Sequence, residues 1–209
     1  MADIIVAGNT SGSITISAPA VSGSNTLTLP VATDTLVGKA TTDTLTNKSI
    51  AATQLTGTIA ASVLPAGSVL QVKQITTTTT TSTTSATYAD ATNLTISITP
   101  QFTTSKILIL CDINCYIQSD NSTYGGVQIV RTATAVYTDD RFMYDGVNAN
   151  VGYGSHFVFN YLDSPATTSA TVNKIQIKRS FTSGTSYPFS VNTTNGTNTS
   201  GITVMEIAA

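Results

Sequence analysis

Alternation of apolar and polar residues dominates the second half of the chain. In KILILCDINCYI at 106–117, a period of two puts Ile107, Ile109, Cys111, Ile113, Cys115 and Ile117 on one face of a strand. Further alternating runs predict strands at Val69–Ile75, 93–99 (NLTISIT, stopped by Pro100), 127–137 (VQIVRTATAVY), 156–162 (HFVFNYL), 171–179 (TVNKIQIKR), 187–193 (YPFSVNT) and 202–207 (ITVMEI). That makes eight, with the turn dipeptide Asn195-Gly196 before the last. Eight short strands with turns between them predict a jelly-roll-like β-sandwich over 68–209. The Thr/Ser run TTTTTTSTTS at 76–85 reads as a loop, with an edge strand as the alternative, since Thr is a good strand former. The stretch 88–209 is expected to fold on its own core.

Residues 1–67 follow another pattern. The short alternating pieces SITIS at 13–17 and TLTLP at 26–30 flank APAVSGSN, whose Pro and Gly suit a turn, so a small β-hairpin is expected. DTL then occurs twice, at Asp34–Leu36 and Asp43–Leu45, and AATQLTGTIAASVLPAG at 51–67 fits a short helix or an irregular turn. The segment has five charges and no aromatic residue. One copy has too little bulk to offset its chain entropy, so it is expected to need identical copies or a dock.

Composition sharpens this division. The 209 residues include 41 Thr and 22 Ser but only 10% charged residues, and all 14 aromatics lie from Tyr88 onward. A net charge of -2 gives no footprint for nucleic acid or an anionic membrane. No apolar run approaches the ~20 residues of a helical membrane span, and the N-terminus lacks the basic and apolar regions of a secretory signal. The seven N-x-S/T triplets, Asn192 among them, are therefore read as chance products of Ser/Thr abundance.

Candidate chemistry is sparse. Cys111 and Cys115 on one strand lie about 13 Å apart, too far for a disulfide, and read as buried free thiols. One His, His156, opposite the face of Phe157 and Phe159, offers neither a catalytic set nor a metal site, so no catalysis, metal or cofactor is expected. Asp139, Asp140 and Asp145 around Arg141 read as a solvated loop with a local ion pair. The stretch YTDDRFMYDGVNANVGYG at 137–154 reads as one long loop mixing aromatic and planar polar groups. It is the best candidate for recognising a sugar or protein surface, through Asp139, Asp140, Arg141, Tyr144, Asn148 and Asn150. Phe142 and Tyr153 could equally cap the core.

The run GSITISAPAVSGSNTLTLPVATDTLVG resembles a module of tailed-bacteriophage structural proteins, tail fibres above all. DTLTNKSI at 43–50 and QLTGTIAASVLPAGSVLQV at 54–72 resemble the linker that follows it. ITPQFTTSKILI at 98–109 and the closing ITVMEIAA resemble the distal β domain. The resemblance implies a non-enzymatic, homotrimeric virion fibre with an N-terminal attachment segment at 1–67 and a head at 68–209. It implies docking to other virion proteins through the N-terminal segment and to a host glycan or protein through head loops, without nucleic acid or membrane insertion. The chain lacks the long shaft of large fibres, so a capsid decoration protein or head fibre is the alternative, and a polysaccharide depolymerase a more distant one.

Overall fold

The structure is a computed structural model. It describes residues 4–7, 9–16, 24, 26, 31, 48–54, 56–119, 122–146, 151–181, 187–193 and 198–209. The chain divides into two compact units, Met1–Thr56 and Gly57–Ala209. Position 67, where the sequence suggests a boundary, lies inside the second unit, because Gly67 N donates to Ala208 O at 2.7 Å.

In the first unit, β1 (Ile4–Ala7) pairs antiparallel with β2 (Ser13–Ile16), with Ile4 opposite Ile16 and Ala7 opposite Ser13. SITIS thus takes IIVA as its partner. TLTLP beyond Thr26, most of the intervening turn and both DTL pieces lie outside the described residues. Ala52–Gln54 forms a single 3-10 turn.

The second unit opens with a 3-10 turn at Ala61–Val63, and the rest of its described elements are strands. These are β3 (Val69–Thr77), β4 (Thr81–Thr83), β5 (Ala89–Ile98), β6 (Lys106–Ser119), β7 (Thr123–Arg131), β8 (Thr134–Asp145), β9 (Val151–Asp163), β10 (Thr171–Phe181), β11 (Phe189–Val191) and β12 (Ser200–Ile207). One sheet runs β5-β10-β7-β8. In the other, β3 pairs β12, β12 pairs the first half of β6, and β9 pairs nearly all of β6 along its opposite edge. The short β11 and β4 extend the β12 side of β6 beyond Cys115. Counting only the eight long strands in chain order, the sheets read 1-8-3-6 and 2-7-4-5. All pairs are antiparallel, and this interleaving is a jelly roll, two Greek keys folded face to face.

The period-two face of β6 forms the middle of the core. Ile107, Ile109, Cys111, Ile113, Cys115 and Ile117 are all fully buried, facing Leu94 and Ile98 of β5, Ile175 and Ile177 of β10 and Val127 and Ile129 of β7. Each such side chain contributes about 2 kcal/mol by leaving water. The sheets approach closely at Gly125, where a Cβ would fall 2.5 Å from the Phe189 ring of β11. Both cysteines are free, and burial pushes the Cys111 thiol up to about 12.

Three sequence expectations change. The predicted strand 127–137 spans the turn between β7 and β8, where Arg131 pairs with Thr134 around a two-residue loop. That loop has no Gly, Asn or Asp to mark it, and Thr132 takes the left-handed conformation (φ 56). The count of eight survives because 187–193 supplies only the three-residue β11. The Thr run is not simply a loop: it ends β3, forms β4, and buries Thr77, as β-branched residues allow. The stretch 88–209 therefore lacks one of the eight strands.

Candidate functional site

The residues singled out at 137–154 do not form one long loop. Asp139, Asp140, Arg141 and Tyr144 lie on β8, and Val151 onward belongs to β9. Asn148 and Asn150 lie outside the described residues. The pattern misleads because the pairing of β8 with β7 shifts between Gly125 and Val127, which breaks the alternation at Asp140–Phe142. Charges on this end strand also suit a sheet edge that must not pair further.

The side chains of this stretch are largely spoken for. Asp140 accepts from Tyr88 Oη at 2.9 Å and pairs with Lys178 Nζ at 2.7 Å. The Lys178 and Tyr88 hydrogen bonds hold the Asp140 carboxyl below its usual range. Burial, followed by the bond to Asp140, pushes the Tyr88 phenol up. Asp139 Oδ1 accepts from Arg141 N at 2.9 Å. Tyr144 stacks on Tyr124 with centroids 4.8 Å apart, and the Arg141 guanidinium sits 4.6 Å from the Tyr124 ring. Phe142 turns to the core and meets Phe157 and Phe159 at 4.7 and 5.1 Å, so it caps the sandwich. Tyr153 stays 44% exposed. This surface is an aromatic and charged ledge, not a cavity.

The outer face of the other sheet has two unlike halves. At one end Val72, Met205, Leu108 and Leu162 stand in register across β3, β12, β6 and β9, an apolar row with Val72 and Leu162 more than half exposed. At the other end the row across β9, β6, β11 and β4 is Gly154, Tyr116, Ser190 and Ser82. Here a polar groove of about 470 Å³ opens, lined also by Asn114, Gln118 and Asn198. Ser82 and Ser190 share a hydroxyl hydrogen bond of 2.8 Å in it. Asn192 braces the groove from within. Fully buried and in the left-handed region (φ 53), it donates to Thr77 O and Thr79 O and accepts from Ser200 Oγ. A burial this complete also leaves the Asn192 triplet without access for a glycan.

His156 lies on the outer face of β9, as its alternation with Phe157 and Phe159 predicts, and pairs with the exposed Asp112. Among the described residues no three His, Cys, Asp or Glu side chains gather to hold a metal ion. Nor is any described helix long and apolar enough to cross a membrane.

No protein-family model and no curated protein matches the chain. Among solved structures it is similar to that of the infectious bursal disease virus Gx strain, at 21% identity and a TM-score of 0.41 over 66% of this chain and 32% of that one. It is similar to the VP2 subviral particle of the same virus at 17% identity, TM-score 0.41 and the same coverage. The T13 particle gives 18% identity and a TM-score of 0.38, covering 66% of this chain and 36% of that one. The chain spans about a third of the length of these neighbours. The jelly-roll assignment rests on the strand order itself.

The groove leaves only half a signal in the sequence: Asn114, Tyr116 and Gln118 alternate with the buried Cys115 and Ile117. The polar face of a strand is legible only once its neighbours are known, and Ser82 and Ser190 come from parts of the chain about 30 and 70 residues away from it.

Proposed function

We propose that this chain is a non-enzymatic structural virion protein, a short homotrimeric fibre. Its N-terminal segment docks to the virion or intertwines with its copies, and its head faces the host surface. The observation that carries the reading is the β1–β2 hairpin. Ile4, Ile5, Val6 and Ile16 are each more than half exposed there. Two four-residue strands with apolar residues open to water are unstable alone, so the segment is built to be covered. The resemblance of residues around it to fibre attachment modules supports the same role. In the head, the apolar row from Val72 to Leu162 offers a second surface for copies of this chain. Three copies would turn weak host contacts into avidity.

Light scattering tests the trimer, and a virion reconstruction tests the location. A fibre reading expects density for three chains at the tail. Density on the capsid would replace the tail assignment with a decoration protein, and absence from the virion would end the reading.

A further inference from the structure

We propose that the groove over Tyr116 binds a neutral saccharide. The inference rests on the host-attachment reading for its biological sense, but it moves the contact site from the ledge of β8 to the outer face of β6. Antiparallel partners project to the same side of a sheet, so the sequence Gly154–Tyr116–Ser190–Ser82 across four strands sets one aromatic ring among two hydroxyls and a bare backbone.

The glycines make that arrangement possible. A Cβ on Gly152 would overlap Tyr116 Oη and Cζ, and one on Gly154 would rest against the ring at 3.8 Å. The tyrosine therefore lies down over β9 and forms part of the groove wall instead of standing out into solvent. Around it, Asn114, Gln118 and Asn198 supply planar amides, a group that both donates and accepts, and Asn198 Nδ2 donates to Thr193 Oγ1 at 2.9 Å. Among the described residues the lining contains no Asp, Glu, Lys or Arg.

A pyranose has a matching surface, with C–H groups on its faces and a rim of hydroxyls that both donate and accept. An aromatic ring flanked by amides and hydroxyls serves both parts. With no cation among the described lining residues, an acidic sugar would find no partner there for its carboxylate. The space, about 470 Å³, lies within the usual size of a small-molecule site. The Asn192 clamp to Thr77, Thr79 and Ser200 fixes the strands beneath before any ligand arrives, which lowers the ordering cost of binding.

The test is saturation-transfer difference NMR on the full chain with lactose, maltose and N,N′-diacetylchitobiose, and with 3′-sialyllactose as the acidic probe, each at about 10 mM to reach weak single-site affinities. At least one neutral disaccharide should bind and outcompete the acidic one. Tyr116→Ala should weaken it about tenfold or more, whereas Tyr116→Phe, which keeps the ring, should stay within about threefold. If Tyr116→Ala melts early, Ser82→Phe, at an exposed position, fills the groove and should abolish binding. No transfer from any neutral probe, preference for the acidic probe, or unchanged binding in a folded Ser82→Phe overturns the inference. Absence of binding by a protein found on the virion rejects the groove and leaves the attachment reading standing. Binding by a protein absent from the virion does the reverse.

Discussion

Arg131 on β7 holds both carboxylate oxygens of Asp163 on β9 through a single nitrogen, Nη1, at 2.6 and 2.8 Å. The two strands belong to opposite sheets, so the pair ties the sandwich together at one end. Asp163 is buried, while Arg131 is about a quarter exposed. Arg131→Ala strands a buried carboxylate and should cost about 2 kcal/mol, less than a wholly buried pair because solvent screens the arginine. Chemical denaturation should show the loss with an unchanged slope. A change below about 0.5 kcal/mol would mean that water already serves Asp163.

Glu206 should make the fold sensitive to acid. It is the chain's one glutamate and is buried on β12. Its Oε1 accepts from Gln101 N and Ser105 Oγ, and its Oε2 from Gln71 Nε2, each at 2.6 Å. Burial works against the charged form, but these bonds and one from the Phe102 backbone outweigh it and hold the carboxyl below its ordinary 4.5. The folded chain thus takes up this proton less readily than the unfolded one. The stabilisation is complete above about pH 4.5 and is lost as pH falls through the lower folded value. Glu206→Gln should cost about 2 kcal/mol at pH 7 and flatten the acid limb of a stability–pH profile. An unaltered acid limb would show that other carboxylates govern it.

Thr132 marks a place where the fold tolerates a poor residue. A β-branched side chain at φ 56 is strained, and a glycine there would not be. Thr132→Gly should stabilise the head by about 1 kcal/mol, or roughly 3 °C in Tm. A lower Tm would mean that the exposed threonine side chain makes up for its backbone.

The smallest independent unit should be 57–209. A fragment starting at Tyr88 loses β3 and β4, leaves Glu206 without Gln71, and strips Asn192 of Thr77 and Thr79. Circular dichroism should show a cooperative melt for 57–209 and none for 88–209. A cooperative melt of 88–209 would show that the remaining strands can close without β3.

Much of this architecture was legible in the sequence. The face of β6 from Ile107 to Ile117 is as regular as a pattern can be, and it specified both the strand and its burial. The division of the chain by its aromatics marks where bulky side chains begin and not where the fold begins: β3 holds its place through backbone pairing with β12 and needs no ring. The β7–β8 turn was illegible because Thr132 and Ala133 carry no turn signature. The ledge of β8 was misread as a loop because Asp139, Asp140 and Arg141 interrupt the alternation, whereas their charges are satisfied across the sheet by Lys178 and Tyr88 and along the strand. The groove over Tyr116 could not be seen from any one segment, since register alone brings Ser82, Ser190 and Gly154 beside that ring.

Exposed apolar surface on the hairpin and along the Val72–Leu162 row should be covered by copies of the same chain. Multi-angle light scattering on the full chain at micromolar concentration tests it most directly. A species of about 65 kDa is expected, three times the 21.6 kDa chain, shifting toward smaller mass in Leu162→Asp. A stable monomer of 21.6 kDa at that concentration would contradict it.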